Sequence, residues 1–144
     1  MKRIYIFGTL AVFFSLLFVS CSKYEEGSYF TLIPKKMRIC ADWELREVED
    51  STGNNYNLSD INVYLKINRD ETCEYREIKY SFGAVISDET YKGIWKFIDK
   101  KKTMSIYFPS NQVQWKCPII QLTSSNLKIK LNSDYLTFFT YDLL

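Results

Sequence analysis

Two groups of residues in this chain are of types that could do chemistry. The first is Phe18-Val19-Ser20-Cys21, which closes an apolar run beginning just after Lys2-Arg3. A thiol there, preceded by small or apolar Ser20 and Val19, has the pattern of a lipobox. Signal peptidase cuts before Cys21, and Cys21 is acylated on its sulfur and its new amine. Phe18 stands where Leu is usual. The second group is a set of carboxylates at strand spacing: Glu47 with Glu49, and Glu74 with Glu77. General acid/base work needs a defined pair with separated pKa values, and nothing in the sequence pairs these. The chain has no His, the commonest general base and metal ligand. It carries no Gly-rich phosphate loop, nucleophile elbow or metal-ligand cluster. The chemistry on offer is covalent lipid attachment. The expectation is a non-enzymatic protein with no metal and no cofactor beyond the lipid on Cys21.

The elements that must present Cys21 come next. Ile4 to Val19 is almost wholly apolar but shorter than the roughly 20 residues a membrane-spanning helix needs, so residues 1–20 read as a cleavable signal. The alternatives are an ordinary cleaved signal, or an uncleaved anchor with Cys21 incidental. Each acyl tail contributes about 0.8 kcal/mol per buried CH₂, so two or more tails on Cys21 hold stably where one would not. Residues 21–36 form a polar tether. No Asp follows Cys21, which points to the outer membrane, on its periplasmic face or at the cell surface. Lys23, Glu25 and Glu26 are similar to short surface-export signals, and a solvated linker explains them equally well.

Residues 37–144 suit one domain. Aromatics are 17% of the chain, enough to fill a compact interior without metals or disulfides. Losing Lys2 and Arg3 from 19 basic residues balances the 17 acidic ones, and that neutrality argues against a nucleic-acid partner. With Cys21 lipidated, Cys40, Cys73 and Cys117 remain, either as small buried hydrophobes or with a Cys40–Cys73 bridge in an oxidising compartment.

Eight runs read as strands: 42–49, 61–68, 72–82, 91–98, 103–108, 115–122, 126–131 and 135–141. The second shows the period-two alternation of a half-buried strand, with Ile61, Val63, Leu65 and Ile67 on one face. The third changes phase between Tyr75 and Ile78, a sign of a bulge. Pro118 marks the sixth as irregular. After the leader, helical character is confined to one turn at 34–39. Connections alternate long and short: 50–60 is long, 69–71 short, 83–90 long, 99–102 short, and 109–114 longer than 123–125. In an up-and-down meander this gathers the long loops at one mouth. A Greek-key sandwich needs a long crossing connection, and none is evident. Closure also removes exposed edges. The expected fold is all-β, a single antiparallel eight-stranded barrel.

Arg38-Ile39-Cys40-Ala41-Asp42-Trp43-Glu44-Leu45 resembles the Gly-x-Trp start of the first lipocalin strand, with Ala41 in the Gly place. Tyr91-x-Gly93-x-Trp95-x-Phe97, then Ile120-Gln121-Leu122-Thr123 and Leu127-Lys128-Ile129, are similar to the lipocalin-like lipoproteins of Gram-negative bacteria. The resemblance runs from about Lys35 to the end and implies an up-and-down barrel. The Arg that packs over the first-strand Trp in lipocalins has no counterpart in the last run, and no second lipocalin signature lies between the sixth and seventh runs.

With the tether at the start of the first strand, the short turns face the membrane and the long loops point away. Ile61, Tyr80, Phe82, Tyr91, Phe108, Trp115, Leu131 and Tyr135 are then expected near the mouth. An eight-stranded interior holds side chains or one small ligand. The expectation is an apolar, aromatic cup for a small apolar ligand, or aromatics that simply fill the barrel, leaving the loop end as a contact surface for an envelope protein partner. An open apolar cavity of roughly 300 Å³ or more favours the ligand. Lys100–Lys102, Lys35, Lys36 and Arg38 fall at the membrane-facing end, where each cation near anionic headgroups adds about 1 kcal/mol, or where they form a solvated turn. Asn57-Leu58-Ser59 and Asp50-Ser51-Thr52 match glycosylation tripeptides that are common by chance.

Overall fold

Strict alternation of apolar and polar residues forces most of this chain into extended pairs. The computed structural model describes residues 33–140, and the lipobox and its tether up to residue 32 lie outside them. A short helix α1 (Lys35–Ile39) is followed by β1 (Asp42–Glu49), β2 (Ile61–Ile67), β3 (Thr72–Ser81), β4 (Ala84–Ile98), β5 (Thr103–Phe108), β6 (Val113–Leu122), β7 (Asn126–Leu131) and β8 (Asp134–Thr140). Each strand pairs antiparallel with its sequence neighbours, and β8 closes on β1. The fold expectation of a closed up-and-down barrel holds.

The core fills the end where β1 begins. Trp43, Leu65, Met104, Ile106, Leu122, Leu127 and Ile129 are all buried, with Cys73, Trp95, Cys117 and Phe138 among them. α1 closes this end. Pro34 starts it, as a residue without an amide hydrogen suits a helix start. Ile39 is fully buried, and the indole Nε1 of Trp43 donates to its carbonyl at 2.9 Å. Arg38 Nη1 donates to Leu122 O at 2.6 Å, tying α1 to the end of β6. Cys40, Cys73 and Cys117 are free thiols, so the Cys40–Cys73 alternative is not realised. Burial pushes Cys73 up to about 11 and Cys117 up to about 12.

The expected long loop at 83–90 is absent. β3 and β4 form one long hairpin that turns at Phe82 and Gly83, both with positive φ. Residues 84–90 were hidden from sequence reasoning because Ser87, Asp88, Glu89 and Thr90 carry no apolar alternation. They are held by pairing with β3 and by a bidentate Arg76–Asp88 bridge at 2.9 and 2.7 Å. β4 pairs with β5 only from Ile94 onward, so this hairpin overhangs its neighbour. At the opposite end the 99–101 turn is left-handed at three successive residues, Asp99, Lys100 and Lys101 (φ 50, 54 and 67°).

Candidate functional site

The barrel is packed at one end and open at the other, and the transition occurs where interior side chains become aromatic and then charged. Inward positions follow the strand period. On β3 they run Cys73, Tyr75, Glu77, and on β4 Gly93, Tyr91, Glu89, paired across the ladder as Cys73↔Gly93, Tyr75↔Tyr91 and Glu77↔Glu89. β5 contributes Phe108 and β6 Trp115. Together with Asn111 and Val113 these side chains line a cleft of about 290 Å³ at the mouth.

Four rings pack into one cluster that forms its aromatic side, with Tyr75 and Phe108 6.2 Å apart across the middle. Centroids lie 6.3 Å apart for Tyr75–Tyr91, 6.4 Å for Tyr91–Phe108, 5.0 Å for Phe108–Trp115 and 5.1 Å for Trp115–Tyr75. Four of the five contacts are edge-to-face, the arrangement that ring quadrupoles favour. Phe108 is 1% exposed and forms the floor. It fits because Gly93 lies beneath it: a Cβ there would stand 2.8 Å from Phe108 Cδ1 and 2.6 Å from the Tyr107 carbonyl oxygen.

The rim is polar. Tyr75 Oη donates to Glu77 Oε2 at 2.9 Å, and Lys79 Nζ sits 2.7 Å from Glu77 Oε1. Tyr91 Oη donates to Glu89 Oε2, and Ser87 Oγ donates to Glu89 Oε1 at 3.3 Å. Burial, then the hydrogen bond to Glu77, raises the Tyr75 phenol well above its usual range. The hydrogen bond to Glu89, then burial, raises Tyr91. Burial works to raise Glu77, but the hydrogen bonds from Lys79 and Tyr75 and the Lys79 charge outweigh it and hold the carboxyl below its usual range. A general acid at neutral pH needs a carboxyl shifted the other way.

Of the eight residues expected at the mouth, Tyr91, Phe108 and Trp115 line the cleft. Ile61 and Leu131 pack against the core but are not among the cleft's walls. Three stand elsewhere. Tyr80 follows a bulge between Lys79 and Tyr80, and its hydroxyl accepts from outward-facing Asn62 at 3.2 Å, on the outer wall. Phe82 is fully exposed at the hairpin tip. Tyr135 pairs with Lys130 and faces out, with Lys128 and Lys130 ammonium groups 5.5 and 5.2 Å from its ring; Leu136 and Phe138 take the inward positions of β8. Tyr75, Glu77, Glu89, Asn111 and Val113 were missed. Glu77 faces Glu89 directly across the β3–β4 ladder, a pairing invisible while 83–90 reads as a loop. Glu47 and Glu49 lie on β1, away from this cleft.

Two other clefts lie along the barrel wall. One of about 440 Å³ lies along outward positions of β4, β5 and β6, including Ile94, Lys96 and Tyr107. One of about 260 Å³ lies along β1, β2 and β3, mostly at outward positions that include Asp42, Tyr64 and Arg76. Neither sets a cluster of aromatics beside charged groups as the mouth does. Among the described residues no group of His, Cys, Asp or Glu could hold a metal ion, and no helix is long and apolar enough to cross a membrane.

The fold places the chain in a class, the lipocalin-like eight-stranded barrels. It is similar to a lipocalin-like protein from Bacteroides uniformis, with a TM-score of 0.57 and 13% identity over 72% of this chain and 99% of that one. It is also similar to an uncharacterized protein from Bacteroides eggerthii, with a TM-score of 0.54 and 13% identity over 70% of this chain and 98% of that one. At such identity the likeness is one of fold. No family model matches the sequence. No curated protein matches it either.

Proposed function

We propose that this chain is a lipid-anchored, non-enzymatic envelope protein of the outer membrane whose barrel mouth binds a small molecule. The observation that carries the binding role is the cleft itself: an aromatic floor, already assembled, open to solvent through a rim of oriented polar groups. Its volume of about 290 Å³ falls just short of the roughly 300 Å³ expected of an apolar cup, and its lining mixes aromatics with Glu77, Glu89 and Asn111. A molecule with a compact apolar body and one polar group fits this lining better than a wholly apolar one. The lipid anchor rests on the Phe18–Cys21 pattern, and no described residue bears on it.

A second reading, protein interaction through the loop end, is favoured by the overhanging β3–β4 hairpin. It carries Phe82, Val85 and Ile86 into solvent, and an unpaired strand edge runs beside them. Native mass spectrometry of the full-length protein extracted from membranes tests both. The small-molecule reading expects cleavage before Cys21, acyl mass on Cys21, and a non-covalent adduct of small mass. An unmodified Cys21 refutes the anchor. A bare barrel that co-purifies at fixed ratio with another protein, and loses it when Phe82 and Ile86 are replaced by Ser, refutes the small-molecule role in favour of the second reading.

A further inference from the structure

The mouth cleft combines two features that only a cationic ligand would use together. One is the packed cluster of rings formed by Tyr75, Tyr91, Phe108 and Trp115 on the cleft's wall and floor. Ring faces carry negative quadrupole potential and attract a cation within about 6 Å of their centroids. The other is the facing pair Glu77 and Glu89 directly above the rings. Glu77 has Lys79 as a partner, whereas the described partners of Glu89 are hydroxyl groups, Tyr91 Oη and Ser87 Oγ. Lys79 also lies within electrostatic reach of Glu89, so the two carboxylates share one cation and the pair keeps a net negative charge. A neutral apolar body placed here strips water from Glu77, Glu89 and Lys79 and returns nothing, which costs free energy. An anion faces both carboxylates. A cation gains from rings and rim together.

The barrel's ends reinforce this. The closed end carries Lys35, Lys36, Arg38, Arg69 and Lys100–Lys102 against Asp70, Glu71 and Asp99, whereas the mouth carries Glu77, Glu89, Asp50, Asp60 and Asp134 against Lys79 and Lys130. Such an asymmetry directs negative potential toward the open end and raises the local concentration of cations there.

We propose that the mouth binds a small organic cation, its alkylated or quaternary ammonium group seated in the cleft against the ring cluster and beside Glu89 and Glu77. This rests on the small-molecule reading above and names the ligand class for the same site.

The test uses three probes of nearly the same shape on the full-length protein in detergent: choline, its carbon isostere 3,3-dimethylbutan-1-ol, and 3,3-dimethylbutanoate. Affinities come from titration calorimetry, with saturation-transfer NMR to place contacts on aromatic protons. Choline should bind at least about tenfold tighter than the alcohol, with the carboxylate weakest. Glu89→Gln should weaken choline more than the alcohol and so remove most of that preference. Trp115→Leu should weaken choline more than the alcohol; thermal unfolding confirms that both variants fold. Equal affinity for choline and the alcohol overturns the cation inference and leaves the small-molecule reading standing. Binding of none of the three overturns the inference, and the adduct in the native mass spectrum then decides the small-molecule reading separately.

Discussion

Gly93→Ala is the smallest change that should disturb both the core and the cleft. The added methyl would stand 2.6 Å from the Tyr107 carbonyl oxygen, 2.8 Å from Phe108 Cδ1 and 3.2 Å from Cys73 Sγ. The first of these is backbone of the neighbouring strand, which cannot step aside without distorting the β4–β5 ladder at Ile94↔Tyr107. Overpacking a tight core by one carbon costs about 1–3 kcal/mol. Against this, Ala in place of Gly restricts the unfolded chain and recovers about 0.4–1 kcal/mol. The net expectation is a loss of about 1–2 kcal/mol, or a fall in Tm of roughly 3–10 °C for a domain of this size. Urea unfolding followed by tryptophan fluorescence measures it, and Phe108→Leu in the Gly93→Ala background separates the ring clash from the backbone clash. The double variant should recover part of the loss and no more, because the Tyr107 oxygen remains. A neutral or stabilising Gly93→Ala would refute the close-approach argument and with it the account of how Phe108 packs against β4 beneath the cleft.

Trp43→Phe removes the indole donor to the Ile39 carbonyl and should destabilise by about 1–3 kcal/mol, with loss of α1 protection in hydrogen exchange. Lys100→Gly should stabilise by about 0.5–1 kcal/mol in thermal melts, since it sits at the centre of three consecutive left-handed residues where an L side chain is strained. The folded thiols of Cys73 and Cys117 lie near 11 and 12 against an ordinary 9.0, so the unfolded chain releases its protons first. Stability is then full below about pH 9 and falls above it by up to about 1.4 kcal/mol per pH unit for each thiol, until pH passes the folded values. Urea midpoints that stay level from pH 8 to 10.5 would contradict this. Cys21→Ser should leave the fold intact and shift the protein from the membrane to the soluble fraction of a cell lysate; unchanged partitioning refutes the anchor.

The barrel was readable in the sequence because most strands alternate cleanly. The runs at 42–49, 103–108 and 126–131 coincide with β1, β5 and β7, and most other boundaries shift by one or two residues. β4 is the exception, longer at its start by Ala84–Thr90. An overhanging hairpin arm has solvent on both faces and no need of apolar periodicity, so only its partner strand reveals it. The direction of individual side chains was less legible. β8 is aromatic or apolar at nearly every position, so composition sets no phase, and the turn that pairs Leu131 with Asp134 is what turns Tyr135 outward. Tyr80 was misplaced because the phase change expected between Tyr75 and Ile78 does not occur: pairing is continuous from Cys73 to Lys79, so plain alternation carries Tyr80 outward, and the register shifts only after Lys79.

Register shifts occur between Leu45 and Glu47 on β1, between Lys79 and Tyr80 on β3, and between Ile119 and Gln121 on β6. A bulge adds a residue to one strand only, bending it and raising its twist. The β1 shift lies just past the point where β1 leaves β2, after Glu44↔Tyr64, so the wall opens there while β1 continues along β8. Below this level the interior is filled by Trp43, Leu65 and Ile106, and above it the β3–β4 arm carries inward positions beyond the reach of the opposite strands. Glu77 and Glu89 occupy those inward positions. Had the barrel stayed fully closed at that height, two facing carboxylates would be buried without enough partners, an arrangement the interior does not tolerate. The opening of the wall and the charge at the rim are therefore one structural fact: the irregular strands are what let a packed barrel end in a wet, acidic mouth above an aromatic floor.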